Sequence, residues 1–515
     1  MTVRRDKRLS RRSFLKRSAV CGGAAATAWA GCGTASDATS QPNVLLILTE
    51  DQGAQMGALG TKGLRTPHMD ALARQGVLFT NAFVAYPVCS PSKGALYTGL
   101  YPHTNGQRDL TVDFFAPASQ LTPEQLNNPA YQRARIHESV PTLIEMLHQA
   151  GYYTGVSMKL HVSPNHKFPY DEWIRDPKRD SCGHINNPNK DLTAKFIRNA
   201  QRKRAPWFLL YTTSQPHRPF RNSDEEPITV DPSEVEIPPF LPDTPVVRRD
   251  WAEYLDSIKC ADKLVGEALD ALEETGCADN TLVIFLGDHG PAYQRGKMTL
   301  YDFGLRVPMA IRGPGVRAGH VSNDLVSEID LMPTILDYLD LQRPPVEHGL
   351  SLLPILRGEA DAKGHEYVFG EIHHDYIYFP PSPEQGGARD PGMQERSIHD
   401  GRFHLIYREN LDEPRDVNSD MREWKTWLNR AWDETIAHKD RFPRQFEFIR
   451  QQDPMRLGGR PLQFELYDTK ADPHEMTNLS DSAEHEPERD RLFAALRNWA
   501  VETKDEFITL GRSGD

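Results

Sequence analysis

Asn43-Val44-Leu45-Leu46-Ile47-Leu48, followed at once by Thr49-Glu50-Asp51, is the stretch that decides the fold. A run dominated by branched aliphatic side chains reads as a strand buried on both faces, and such strands belong to sheets covered by helices on each side. Runs of the same texture recur at Tyr153–Met158, Trp207–Tyr211, Thr281–Leu286 and Val307–Ile311. Helical patterns lie between them, at Pro67–Gln75, Ser139–Ala150 and Trp251–Glu274. Strands alternating with helices predict an α/β domain on a mostly parallel sheet. Ligands of such sheets bind at the carboxyl ends of the strands. The polar residues there are Glu50 and Asp51, then Lys159 and His161, then His217, then Asp288 and His289. Each alone reads equally well as a polar loop, a turn or a solvated surface group. Four segments delivering acids, lysine and imidazole to one rim predict a site.

The remaining chain sets bounds on that site. At 515 residues the chain has room for about three domains, or for one large α/β domain with an appendage. Hydrophobic residues at 38% and charged residues at 26% exclude a disordered, fibrous or coiled-coil chain. No apolar run is long enough to span a bilayer. Net charge is −12, and removing the first eighteen residues leaves 52 basic against 71 acidic side chains, or −19. Nucleic acid is therefore excluded as a partner, because phosphate contacts need clustered positive charge. An anionic substrate would need cations or a metal focused locally. Past residue 360 the texture changes. Pro380-Pro381-Ser382-Pro383 and Gly386-Gly387 mark an irregular loop, Arg402–Tyr407 reads as a strand and Glu486–Lys504 as an amphipathic helix. Residues 365–515 are expected to form a smaller α+β subdomain behind a domain spanning 41–364.

The amino terminus reads as an export signal over residues 1–40. Ser10-Arg11-Arg12-Ser13-Phe14-Leu15-Lys16 resembles the twin-arginine translocation motif, and Ala19–Gly31 is weakly apolar and too short to cross a bilayer. Trp29-Ala30-Gly31-Cys32 is either a lipoprotein cleavage box, giving a lipid anchor at Cys32, or the end of an ordinary leader. Export through the Tat translocase to the periplasm or cell envelope is the expectation. That route moves folded protein, which suits a chain that gains a metal or a modification in the cytoplasm. Cys89, Cys182, Cys260 and Cys277 are too few for a disulfide framework, and no zinc spacing occurs. Cys260, inside Trp251–Glu274, reads as a small buried apolar residue.

Tyr86-Pro87-Val88-Cys89-Ser90-Pro91-Ser92-Lys93-Gly94, running on to Thr98-Gly99-Leu100-Tyr101-Pro102-His103, resembles the signature of the sulfatases. The resemblance extends to Gly53, Thr66-Pro67-His68-Met69-Asp70, Gly287-Asp288-His289-Gly290, Phe464-Glu465-Leu466-Tyr467-Asp468 and Asp472-Pro473-His474-Glu475, in family order. Pro216-His217-Arg218, with Arg295 and Lys297 after Asp288, is most similar to the sulfamidase, or heparan N-sulfatase, branch. The resemblance implies an alkaline-phosphatase-like α/β fold and hydrolysis of sulfate esters or sulfamates on sulfated carbohydrate. It implies conversion of Cys89 to formylglycine by a maturation enzyme. It also implies one divalent cation, Ca²⁺ before Mg²⁺, among Glu50, Asp51, the modified Cys89, Asp288 and His289.

The chemistry explains these residue types. A hydrated aldehyde carries two hydroxyls: one attacks sulfur, and the other loses its proton to expel sulfate, which serine or cysteine cannot do. A hard cation neutralises sulfate oxygens and acidifies the nucleophile. In that scheme Pro91 lies early in a helix whose N–H groups face the anion. Lys93, Lys159 and His161 hold the hydrated aldehyde, Lys297 clamps a sulfate oxygen, and His217 protonates the leaving group. Arg295 is the rival for the role of Lys297. His103, His166 and His373 read as solvated or satisfied histidines. The signature departs from its usual form at Lys93, where Arg stands in relatives, and at Glu50, where Asp does. Two alternatives remain: a phosphate or phosphonate ester hydrolase of the same superfamily, and a non-catalytic sulfoglycan-binding protein.

Overall fold

The computed structural model describes residues 41–111, 122–123, 133–178, 186–220, 228–374, 392–413, 429–453 and 457–509. The export signal with Cys32, the Pro380–Gly387 loop and Cys182 lie outside the described residues. Strands are β1 Asn43–Thr49, β2 Val77–Phe83, β3 Tyr153–Ser157, β4 Glu172–Ile174, β5 Trp207–Thr212, β6 Thr281–Gly287, β7 Arg306–Arg312 and β8 His320–Ser327. They form one sheet in the order β4-β3-β5-β1-β6-β7-β2-β8. Helices used below are α1 Pro67–Gln75, α2 Cys89–Thr98, α3 Leu143–Gln149, α4 Lys190–Lys203, α5 Pro245–Glu274, α6 Leu331–Tyr338 and α7 Glu486–Thr503.

β1 shows why the sequence folds this way. Val44, Leu46 and Leu48 enter one core with Leu96 and Tyr97 of α2, Leu143 and Leu147 of α3 and Leu331 of α6. Leu45 and Ile47 enter the opposite core with Leu72 of α1, Phe196 of α4 and Leu264 and Val265 of α5. Alternate side chains thus feed two layers, as a doubly covered strand requires. The flanking strands β5 and β6 pair with β1 in parallel, and β3 with β5 likewise. The register sets Thr49 opposite Gly287, so Glu50 and Asp288 leave the sheet side by side.

β7 departs from expectation, because it runs antiparallel to both β6 and β2. No crossover helix separates β6 from β7; the link carries the four-residue helix Asp302–Leu305 alone among its helices, and a strand that returns without a crossover pairs antiparallel. The sheet is mostly parallel with this one inversion. A second sheet, β12-β11-β10-β9, is antiparallel and comprises β9 Val368–His373, β10 Gln394–His399, β11 Phe403–Glu409 and β12 Phe464–Asp468. It packs Ile398, Leu405 and Leu466 against Leu492, Leu496 and Trp499 of α7. No helix among the described residues is long and apolar enough to cross a membrane.

Cys260 corrects one reading. It is disulfide-bonded and half-buried on α5, while Cys89 and Cys277 are free and buried. Its place inside the amphipathic stretch Trp251–Glu274 reads as a small buried apolar residue, and periodicity carries no information about oxidation. Cys260→Ser is expected to lower the unfolding free energy by about 2–4 kcal/mol, as loss of a cross-link does. Urea titration with dithiothreitol should erase that difference, whereas any effect of Cys277→Ser should be indifferent to reductant.

Candidate active site

Four adjacent strand ends build the site. β1 delivers Glu50 and Asp51, β3 delivers Lys159 and His161, β5 delivers His217 and β6 delivers Asp288 and His289. The backbone is drawn tight there. Glu50 N–H donates to Gln215 C=O (3.2 Å) and Asp288 N–H to Thr49 C=O (3.0 Å). Gly290 is packed so closely that a Cβ would lie 1.9 Å from the Phe303 carbonyl oxygen. Asp51 and His161 both take a left-handed backbone, each with φ 56°. Such conformations cost non-glycine residues about 1–3 kcal/mol and concentrate where geometry matters more than stability.

Cys89 opens α2, a helix buried along its whole length. Pro91 is its third residue, and Ser92 N–H closes the first turn on Val88 C=O (3.0 Å). Cys89 Sγ lies 3.2 Å from His289 Nε2 and 3.9 Å from Asp51 Oδ1. Asp51 N–H donates to Asp288 Oδ1 (2.7 Å). Asp51, Cys89, Asp288 and His289 each offer one ligand atom, all within 4.8 Å of one another. Glu50 falls in a separate group with Cys89 and His161.

Lysines neutralise the acids. Lys93 Nζ is 2.6 Å from both Glu50 Oε1 and Asp288 Oδ2, and Lys159 Nζ is 2.7 Å from Glu50 Oε2. Lys297 Nζ is 3.1 Å from each Asp51 oxygen and 3.5 Å from His217 Nε2. Burial pushes the Glu50 carboxyl up, but Lys159 and Lys93 outweigh it and hold it well below the usual range. Burial likewise pulls Lys93 down, and Asp288 and Glu50 more than reverse this. For His289 burial acts downward while Asp288, Cys89 and Asp51 push it up to about 9. Burial, Lys159 and Lys93 all press His161 well below its ordinary value, so it is neutral at pH 7.

The lysine near Cys89 therefore reaches across α2 to the carboxylates, whereas the sequence reading directed it at the modified cysteine. Arg295 does not compete with Lys297. Its guanidinium lies over the rings of Phe448 (4.0 Å) and Tyr301 (4.2 Å) and donates to the carbonyls of His474 and Glu475, away from Asp51. His217 Nδ1 bonds the Arg218 carbonyl, which leaves Nε2 facing Lys297 and, at 3.9 Å, Asp51. Arg218 is itself fixed by a two-pronged contact to Asp250 of α5 (3.0 and 2.6 Å) and by the rings of Phe220 and Tyr293. Asp250 had no signal in the sequence; it is one acid among many on a long helix. His103 and His373 are buried against Glu371, and His166 is exposed beside Glu138, so none of the three joins the rim.

Fold and rim together place the protein among the alkaline-phosphatase-like α/β enzymes. The sulfatase family model matches residues 42–341, and the model of the N-sulphoglucosamine sulphohydrolase C-terminal region matches residues 287–439. Human N-sulphoglucosamine sulphohydrolase is 30% identical, over 90% of this chain and 91% of its own. An ulvan-active sulfatase of Formosa agariphila is 27% identical over 90% and 76% of the two chains. The phosphonate monoester hydrolase of Silicibacter pomeroyi shares the fold, with a TM-score of 0.63 at 20% identity over 91% and 97% of the two chains. The chain belongs to the sulfatase family, and it is an enzyme of that class.

Arg295 and Lys297 separate cleanly in a test. Arg295→Ala should lower stability by about 2–3 kcal/mol, through lost ring contacts and orphaned carbonyls. Lys297→Ala removes one partner of a buried acid at the rim and should instead cut sulfatase turnover by about a hundredfold. Thermal melts and kcat measured on both variants check the division.

Proposed function

We propose that the protein removes sulfate from sulfated carbohydrate, from an O-sulfate ester or an N-sulfate, with the sulfamate favoured. The carrying observation is Cys89 at the start of a buried helix, its sulfur beside His289 and Asp51, with Lys297 and His217 across the same acid. The N-sulfate reading draws on the two matches to N-sulphoglucosamine sulphohydrolase. A hard divalent cation fits the donor set of Asp51, Asp288, His289 and the position 89 side chain, and oxygen-rich, irregular sites suit Ca²⁺ better than Mg²⁺. Glu50 would join that set by releasing Lys93 or Lys159. Bound there, the cation supplies Lewis-acid polarisation of sulfate oxygens. Formylglycine at position 89 supplies a pair of geminal hydroxyls in place of a thiol.

The chain's own residues do the remainder. Lys297 and Lys159 present ammonium groups to an anionic substrate at a rim whose acids they already neutralise. The helix start at Cys89 adds partial positive charge. His217 keeps its Nδ1 proton on the Arg218 carbonyl, so the proton it hands to the leaving group is a second one, carried on Nε2 of the doubly protonated ring. An amine or sugar alkoxide needs that proton to depart; a nitrophenolate does not. Export through the Tat route is part of the proposal, and the disulfide at Cys260 supports an oxidising compartment.

Four outcomes are expected. Peptide mass at Cys89 should show aldehyde in place of thiol, purified protein should contain Ca²⁺, and Cys89→Ala should be inactive. Unmodified thiol, or faster hydrolysis of an aryl phosphate than of the matching aryl sulfate, would overturn the assignment. His217→Ala should lose about 10²- to 10⁴-fold on a sugar N-sulfate or O-sulfate and far less on nitrophenyl sulfate. Equal losses on both substrates would remove His217 from the acid role.

A further inference from the structure

Glu328 opens the single turn that follows β8, fully buried and far in sequence from every rim residue. Its Oε1 accepts the N–H of Ala85, in the segment leading from β2 to Cys89 (2.9 Å). Its Oε2 lies 2.7 Å from Ser92 Oγ, and the same Ser92 Oγ lies 2.6 Å from the carbonyl oxygen of Asp288. These contacts can be counted in protons. A serine hydroxyl owns one proton, a carbonyl oxygen none and an ionised carboxylate none. Two oxygen–oxygen contacts of this length need two protons, since otherwise one pair faces lone pair to lone pair inside van der Waals contact. The second proton has one place to be.

We infer that Glu328 is held as the neutral acid and acts as a positioning residue for the active site. It donates to Ser92 Oγ, Ser92 donates to the Asp288 carbonyl, and Ala85 N–H donates to the remaining carboxyl oxygen. The relay clamps three segments: the approach to Cys89, the first turn of α2, and the end of β6 that carries Asp288 and His289. What it positions rests on the function proposed above; its protonation does not. The surroundings agree. Burial pushes the Glu328 carboxyl well above its usual range, and Asp288 adds to this, while Ser92, the Ala85 amide and His289 pull the other way without reversing it. The nearest cation on α2, Lys93, is spent on Glu50 and Asp288. A neutral clamp also makes chemical sense here. An ionised fourth acid would compete with Glu50, Asp51 and Asp288 for the same lysines and metal, whereas a carboxylic acid holds the backbone without adding charge.

The test uses the full-length protein and Glu328→Gln, which keeps one donor and one acceptor in the same shape. A folded carboxyl that retains its proton above the unfolded value of 4.5 makes the folded state lose stability as pH rises past that value. Glutamine removes this dependence. The melting temperature of Glu328→Gln relative to wild type should therefore climb steadily from about pH 5 to about pH 8. A relative melting temperature that stays flat or falls over that range overturns the inference. Infrared difference spectra of wild type minus Glu328→Gln at pH 7 should show the carbonyl stretch of a protonated carboxyl. A carboxylate band pair instead would equally overturn it. Positioning is read separately: kcat of Glu328→Leu should fall about tenfold below that of Glu328→Gln at similar KM. Equal kcat in the two variants refutes the positioning role. Because the melts and spectra need no sulfate hydrolysis, failure of the proposed function and failure of the relay are distinguishable.

Discussion

Everything at the rim follows from burying three carboxylates, Glu50, Asp51 and Asp288, at neighbouring strand ends. Each ionised group moved out of water costs several kcal/mol unless it is paired and hydrogen-bonded. The chain meets this cost with Lys93 from α2, Lys159 from the end of β3 and Lys297 from the link between β6 and β7. Three acids and three lysines give a site that is nearly neutral overall but steeply polar locally. Such an arrangement is poised for an incoming anion and cation together. The charges of the two partly cancel when both are present. The close backbone approaches at Gly290 and the left-handed residues Asp51 and His161 are what it takes to aim these groups into one small volume.

That explains which features were legible in the sequence. Five strands of the main sheet were readable because β1, β3, β5, β6 and β7 are near-continuous apolar runs, a pattern that burial on both faces imposes. The acids and imidazoles that follow four of them were readable for the same reason: a strand end fixes its next residues in space. β10 shows the opposite case. Gln394-Glu395-Arg396-Ser397-Ile398-His399 has no apolar run to mark it as a strand, yet all six residues are buried. Their charges are matched by groups distant in sequence, Arg396 by Asp505 and Glu395 by Arg408 and His374. Local pattern cannot reveal a buried polar strand, because what makes it tolerable is a partner that only the fold supplies. Glu328 and Asp250 escaped notice on the same ground. Each is a lone acid whose meaning lies in a contact made across the molecule.

The second sheet then acquires a purpose beyond closing the molecule. Arg295 and Lys297 are two residues apart and point to different worlds. Arg295 is locked under Tyr301 and Phe448 and onto the carbonyls of His474 and Glu475, and Glu475 in turn bonds His404 of β11. Lys297 reaches back to Asp51 at the strand end. At Lys297 and just after it the backbone is pinned further: Lys297 N–H donates to Pro291 C=O (2.9 Å) and Met298 N–H to Pro87 C=O (2.9 Å), two residues before Cys89. A lysine has four rotatable bonds and loses much conformational freedom when fixed. Anchoring its backbone on both sides removes part of that loss before substrate arrives. The carboxy-terminal sheet is thus mechanically part of the active site: it holds, through Arg295, the short segment from which the Lys297 ammonium is presented. A carboxy-terminal sheet that shifted would carry Lys297 off Asp51, and through the bond from Glu371 N–H to Ala85 C=O (2.9 Å) it would also pull on the segment leading to Cys89. This is why the last third of the chain, which lends no residue to the rim, still constrains what the rim can bind.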